Sequence, residues 1–337
     1  MQKYRAAAAA PKAARTPRLR LDTRTEDWDE IDPVVSEPKR VTAPPNPGTP
    51  TATGEGLIAG VRPGVCQVYA QGVISTCRSM PGLAVGDLVR FDTTAVRQIL
   101  PRRTTLSRPD PRNPRLERLL AVNVDIVVNV VSVSSPPLRP GLIDRYLVAI
   151  RRGGADPLIC VNKSDLLQDA RELDILDIYR DIGIPVVLCS AATGAGISDL
   201  MDTLTGLTCV FTGHSGVGKS SVLNAICPAL ALPIGEVSSG ADRKGRHTTT
   251  SSSLHMLANG TKVIDTPGIR QFGLWEIGAG DLQAYFQEFE RFALRCTYAD
   301  CTHTHEPGCK VEEAVRAGDI AAERFASYRR IRETLLE

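Results

Sequence analysis

The chain has 337 residues, with 40 lysines and arginines against 38 acids and 42% hydrophobic residues, enough to build two or three domains with their own cores. The near-neutral total of +2 says little about partners because the charge is unevenly distributed, and no run of 18 apolar residues is present to form a transmembrane helix. No apolar stretch follows the basic residues at the start, as a secretory signal needs, so no leader is expected. The nine cysteines are odd in number and partly placed in apolar runs (Cys160, Cys189, Cys209), which suits reduced thiols in the cytoplasm better than a disulfide scaffold.

Residues 1–53 are a poor core former. Lys3, Arg5, Lys12, Arg15, Arg18 and Arg20 occur with no acid, then 21–37 is acidic, and Ala6–Ala10 and Pro44, Pro45, Pro47 and Pro50 add low complexity. A disordered tail is expected there. Its basic end is either a solvated segment or a contact for RNA phosphates.

Residues 54–105 read as short β pieces: 56–59, 65–70, 72–75, 85–91 and 96–100, punctuated by Gly and Pro. That spacing predicts a small five-stranded barrel of the oligonucleotide-binding (OB) type. Arg62, Arg78, Arg90, Arg97, Arg102 and Arg103 outnumber Asp87 and Asp92, a balance that suits RNA, although a β-barrel without a ligand has the same pattern.

From Asn123 the rhythm becomes strand–helix alternation, the pattern of a parallel sheet covered on both faces. Strands are expected at 125–133, 157–161 and 186–189, with helices at 142–150 and about 171–182. The second strand runs into Asn162-Lys163-Ser164-Asp165 and the third into Ser190-Ala191. In N-K-x-D the Asp165 carboxylate can accept the guanine N1 and N2 hydrogens. Adenine presents a lone pair at that N1, and a site built on such an edge rejects the wrong base by about 10⁴-fold. Asn162 would tie this loop to a phosphate loop, the Lys163 stem would cover one face of the base, and Ser190-Ala191 would offer a backbone N–H to guanine O6.

The phosphate loop is Gly213-His214-Ser215-Gly216-Val217-Gly218-Lys219-Ser220, between the apolar run 208–211 and a helix beginning near Ser221. Glycines let consecutive N–H groups and the helix N-terminus wrap around phosphates. Lys219 would reach the β- and γ-phosphates, and the Ser220 hydroxyl would ligate Mg2+.

Further along, Gly245-Arg246-His247-Thr248-Thr249 ends a polar, Gly-rich stretch suited to a first switch, with either Thr248 or Thr249 on Mg2+. Asn259-Gly260 predicts a type I′ hairpin between 252–257 and 261–264. Asp265-Thr266-Pro267-Gly268 closes it, with Asp265 holding Mg2+ through water and the Gly268 N–H sensing the γ-phosphate. Two departures from ordinary GTPases stand out. The base-reading motifs precede the phosphate loop, so the sheet is circularly permuted, which is feasible because domain termini often lie close together. Ile269 follows Asp-Thr-Pro-Gly where many GTPases place a water-orienting Gln, so intrinsic hydrolysis should be slow. His247 is the nearest replacement; its other reading is a switch-loop contact.

The order N-K-S-D, S-A, G-H-S-G-V-G-K-S-S, G-R-H-T-T, D-T-P-G-I resembles the ribosome small-subunit-dependent GTPase A family of bacteria, and the Arg103–Pro109 linker is similar too. The likeness spans about residues 54–320. It implies a GTPase that binds the small ribosomal subunit and its rRNA late in maturation, is stimulated by the subunit, and leaves after hydrolysis. It also implies a cytoplasmic protein, and a monomer is expected.

Near the C-terminus, Cys296, Cys301 and Cys309 sit with His303 and His305 within fourteen residues, a donor set for one structural tetrahedral Zn2+. The family pattern points to His303 over His305 as the fourth ligand. Flanking amphipathic helices are expected at 282–294 and 311–336, the last with Arg324, Arg329, Arg330 and Arg332.

The expected architecture is therefore a tail (1–53), an OB-type barrel (54–105), a circularly permuted α/β P-loop GTPase domain (106–285) and a helical zinc-binding domain (286–337). Because the second switch runs straight into the zinc region, nucleotide state could be transmitted as the position of that domain. Two rivals use the same residues differently: a GTP-dependent RNA-binding switch or scaffold whose hydrolysis is incidental, and a GTPase acting on another RNA or on a membrane.

Overall fold

The structure is a computed structural model and describes residues 54–110, 113, 116–230, 232, 252–266, 274 and 277–336. The N-terminal tail, His247, Thr248, Thr249, Gly268 and Ile269 lie outside the described residues.

Five strands open the described chain: β1 (Gly54–Arg62), β2 (Val65–Ala70), β3 (Val73–Arg78), β4 (Leu88–Phe91) and β5 (Val96–Ile99). Their alternating burial is that of strands with one face on a core, here Ile58, Val68, Cys77, Val89 and Phe91. β1 pairs with β2 and β4, β2 with β3, and β4 with β5, all antiparallel. A parallel bridge between Arg78 and Ala95 closes the ring in the order β1-β2-β3-β5-β4. The five strands thus form a small barrel, with one strand shorter than the sequence pattern suggests. Residues 85–87 form a turn instead, because the fully buried Asp87 accepts from the Ala84 N–H and takes Arg102 bidentately at 2.7 and 2.9 Å.

An antiparallel hairpin, β6 (Thr105–Pro109) and β7 (Glu117–Val122), follows. Its first strand lies in the segment expected to join barrel and GTPase domain, and its second has no counterpart among the expected elements. The main sheet then contains β8 (Ile126–Ser132), β9 (Asp156–Asn162), β10 (Val186–Leu188), β11 (Thr208–Thr212), β12 (Ser253–Met256) and β13 (Lys262–Asp265), in the spatial order β10-β9-β8-β11-β13-β12. All are parallel except β12. Both faces are covered, which explains the near-continuous apolar strands. Val128, Val130, Phe211 and Val263 pack toward α3 (Ile197–Thr203) and α4 (Lys219–Ile226). Val127, Val210 and Ile264 pack with Tyr146, Ala149 and Ile150 of α1 (Pro140–Arg152). Each such fully buried side chain contributes about 1.5–3 kcal/mol.

Two local expectations change in this region. The β12–β13 turn is not type I′: Asn259 keeps a negative φ, while Gly260 has φ 82°. The Gly260 N–H bonds Leu257 O and the Leu257 N–H bonds Thr261 O, a type I turn with a bulge. Asn259 instead turns its amide to Met201 O and Thr205, tying the hairpin to the end of α3. The helix expected at 171–182 is a 3-10 segment, Ala170–Leu176, followed by the short α2 (Asp177–Asp181).

The C-terminal helices are likewise broken. Leu282–Tyr285 and Gln287–Phe289 are single 3-10 turns, separated where Phe286 leaves helical geometry to bury its ring, and α5 spans only Glu290–Ala293. The long final helix is two, α6 (Lys310–Ala317) and α7 (Ala322–Leu336). Gly318 ends α6 in the left-handed conformation, its N–H returning to Val315 O. Phe286, Phe289, Val311, Tyr328 and Ile331 form one core there, joined by Val148 of α1.

Candidate functional site

β8, β9 and β10 extend the sheet to one side of β11, and β13 and β12 extend it to the other. The crevice at the carboxyl ends of such a sheet, where strand order reverses, is where α/β folds bind ligands. The three loops read from the sequence all leave that end. Asn162–Asp165 follows β9, Ser190-Ala191 follows β10, and Gly213–Ser220 follows β11 and opens α4.

Asn162 joins them. It is buried, its Nδ2 donates to Val217 O at 2.9 Å, and its Oδ1 accepts from the Ala191 N–H at 3.0 Å. One amide thus ties the base-reading loops to the phosphate loop. Gly218 sits against it with φ 88°, and a Cβ there would come within 2.2 Å of Asn162 Nδ2. Only glycine meets both requirements.

Asp165 is held by the buried Ser190, whose Oγ donates to Asp165 Oδ1 and accepts from the Thr193 N–H at 3.2 Å. Ser190 therefore acts through its hydroxyl, a role the motif alone did not reveal. The backbone N–H groups of Ser190 and Ala191 are both engaged: Ser190 donates to Ala195 O and Ala191 to Asn162. Lys163 adopts a left-handed backbone, and its ammonium donates to Ser135 O. Burial lowers its pKa, with Asp165 opposing. Ser164 begins the 3-10 turn that presents Asp165.

In the phosphate loop Gly213 and Val217 are buried, Ser215 is exposed, and His214, Gly216, Gly218, Lys219, Ser220 and Ser221 are half-buried. Lys219 Nζ donates to Gly213 O at 3.1 Å, folding back over the loop. Asp265, at the end of β13, has its carboxyl pushed upward by burial, with His255 and Lys219 pulling back. A cation there would be welcome on electrostatic grounds.

A buried polar row lies beneath this crevice, within and beside the strand expected at 125–133 from its apolar run. Asn129 and Thr212 are register partners on β8 and β11, and Thr266 follows β13. Tyr146 of α1 hydrogen-bonds Thr212. Both amide atoms of Asn129 and the Thr266 hydroxyl are buried with no hydrogen-bond partner among the described residues. A cavity of about 20 Å³ lies between Asn129, Tyr146, His214 and Val217. The only sequence signal was a polar residue interrupting Ile126–Ser132.

The second site is the cysteine cluster. The ligand atoms of Cys296, Cys301, His303 and Cys309 all lie within 4.8 Å of one another. His303 Nδ1 is 3.6 Å from Cys296 Sγ and 3.4 Å from Cys309 Sγ. A tetrahedral zinc with Zn–S about 2.3 Å and Zn–N about 2.0–2.1 Å separates N and S ligands by roughly 3.6 Å, so the set fits. The Lys310 and Glu312 N–H groups donate to the Cys296 and Cys309 sulfurs, as thiolate ligands need. Burial pushes the Cys301 thiol up to about 12, a cost that a bound cation removes. His305 is exposed and outside the cluster. Glu306 shapes the loop, accepting from Thr302 and the Thr304 and His305 N–H groups.

Known proteins resemble this chain in sequence and in fold. The family model described as RsgA GTPase matches residues 99–275. A Pseudomonas aeruginosa protein named small ribosomal subunit biogenesis GTPase RsgA is 39% identical over 279 residues, covering 80% of this chain and 81% of that one. One of the same name from Gemmatimonas aurantiaca is 36% identical over 304 residues, covering 85% and 99%. The crystal structure of YjeQ from Thermotoga maritima superposes with a TM-score of 0.70 at 29% identity, over 85% of this chain and 99% of that one. The structure of YloQ, described as a circularly permuted GTPase, gives 0.66 at 27% identity, over 84% and 95%.

Proposed function

The chain belongs to the RsgA GTPase family, and we propose that it works on the small ribosomal subunit, binding it with GTP during late maturation and leaving after hydrolysis. The relatives' shared name supports the partner. The observation that carries the nucleotide reading is Asn162, which holds two base-reading loops and the phosphate loop together.

In this reading Asp165, oriented by Ser190, takes the guanine N1 and N2 hydrogens, and Ala191 shares its N–H with O6. The Lys163 stem covers the base, Asn162 and Ser164 hold the loop, and the N–H groups from Gly213 to Ser221 cradle the phosphates. Lys219 leaves Gly213 O for the β- and γ-phosphates. Bound Mg2+ supplies charge neutralisation on those phosphates. Ser220 and Asp265 would hold it, together with Thr248 or Thr249. Water attacks the γ-phosphorus in line as the bond to the β–γ bridging oxygen breaks and GDP leaves, with the Gly268 N–H on the γ-phosphate and His247 as the candidate that orients the water. Ile269 cannot orient it, so the subunit completes the site. Zn2+ at Cys296, Cys301, His303 and Cys309 is structural, since four protein ligands leave no open position.

The OB-type barrel and the exposed Arg329 and Arg330 of α7 are proposed as rRNA contacts, whereas Arg324 is buried against Asp144 and Glu288. The protein is proposed to act as a monomer in the cytoplasm; no helix among the described residues is long and apolar enough to cross a membrane. Co-sedimentation with purified small subunits tests the partner. Retention should be stronger with a non-hydrolysable GTP analogue than with GDP, and equal or absent retention would contradict it. The alternative, a GTP-dependent RNA-binding switch or scaffold with incidental hydrolysis, is favoured only by Ile269.

A further inference from the structure

His303 of the zinc cluster is held from behind as well as in front. Its Nδ1 faces the Cys296 and Cys309 sulfurs, while its Nε2 lies 2.7 Å from Gln283 Oε1. A neutral imidazole carries one proton and one lone pair. If Nδ1 is the metal donor, the proton is on Nε2, and the amide must present its oxygen to that N–H. The reversed amide would leave the proton on Nδ1 and block the ligand. Distances to metal donors and amide orientation are thus mutually consistent in one arrangement only.

We propose that Gln283 is a positioning residue of the metal centre: it accepts the His303 Nε2 hydrogen, fixes the tautomer and ring orientation, and makes Nδ1 the ligand. Phe289 and Tyr328 wall the ring at centroid distances of 6.0 and 6.2 Å, but neither ring accepts this hydrogen in the ring plane. Gln283 stands thirteen residues before the first cluster cysteine and belongs to none of the metal-binding loop. It sits on the 3-10 turn Leu282–Tyr285, which packs against α1, and Leu282 shares a core with Val148 of that helix. The metal ligand is therefore oriented from an element seated on the nucleotide-binding sheet's own helix. Partners of this kind change metal affinity by about 10–100-fold when removed.

The inference rests on zinc occupying the cluster, and the test separates the two. Full-length wild type, Gln283→Leu and Gln283→Glu are loaded with zinc, and its release to a chromogenic chelator is timed. Nitrogen NMR of the zinc-loaded wild type reads the His303 tautomer. Gln283→Leu should release zinc about 10–100-fold faster. Gln283→Glu keeps an acceptor and should stay near the wild-type rate, with Nε2 protonated in the wild type. Retained GDP binding, at a site Gln283 does not touch, checks that each variant is folded. An unchanged rate in Gln283→Leu, equal acceleration in both variants, or a proton on Nδ1 would overturn the inference while leaving the zinc reading intact. A wild type that takes up less than about half an equivalent of zinc defeats the metal reading and the inference with it.

Discussion

Arg324 of α7 donates through Nη1 to Asp144 Oδ1 of α1 at 2.6 Å, and both side chains are buried. Its Nε meets Glu288 Oε1 at 2.7 Å, and its guanidinium lies 4.5 Å from the Phe286 ring centroid. One cation thus fastens the C-terminal helix, the preceding turn and the helix between β8 and β9. Breaking a buried pair by removing one partner costs about 3–5 kcal/mol, because a desolvated charge is left behind. Arg324→Met strands two carboxylates and should cost more than Asp144→Asn, after which Glu288 still neutralises the arginine. Chemical denaturation of both variants checks the order.

Asn162→Ala removes two hydrogen bonds, each contributing about 0.5–1.5 kcal/mol, and should weaken GDP binding by roughly 10–100-fold. Gly218→Ala places a methyl against the same amide in a left-handed backbone and should weaken binding at least as much. Titration with a fluorescent guanine nucleotide measures both.

Asp165→Asn exchanges an acceptor for an amide at the base edge. Two charge-assisted bonds of about 1.5–3 kcal/mol each are lost, so GDP affinity should fall by about 10²-fold or more. Xanthine carries a carbonyl where guanine has its amino group, so xanthosine diphosphate should bind the variant better than GDP does. Competition binding with the two diphosphates decides it.

Asp125 links the starts of β8 and β11: its Oδ2 accepts from the Thr208 N–H at 2.8 Å, and its Oδ1 accepts from Arg103 at 2.9 Å. Burial acts to raise its pKa, but the Thr208 and Arg103 bonds outweigh that and leave it lowered. A lowered carboxylate contributes stability that is present above its unfolded value of about 3.9 and lost as pH falls through the folded value. Asp125→Asn should therefore narrow its stability deficit below about pH 4 relative to pH 7. Thermal unfolding against pH measures this, and a deficit that does not change with pH would count against it.

The site was legible where chemistry fixes local sequence. A phosphate loop needs glycines at set spacing, and a guanine edge needs a carboxylate at a strand end, so 162–165 and 213–220 could be read without a structure. The permutation was equally readable, because it is only the order of those motifs. What escaped was decided by tertiary contact. Asn259-Gly260 carries the type I′ signal, yet Asn259 turns to Met201 and the loop becomes bulged. Phe286 breaks a helical pattern because its ring packs edge-on to Tyr328, 5.3 Å away. Gln283 and Ser190 act through partners 20 and 25 residues distant, with no spacing rule to mark them.

The most direct measurement is GTP hydrolysis by the purified protein with and without small ribosomal subunits. With Ile269 in place of a glutamine, hydrolysis alone should be slow, and subunits should raise it by about 10²-fold or more by completing the site. A rate with subunits no higher than that of the protein alone would contradict subunit-coupled hydrolysis.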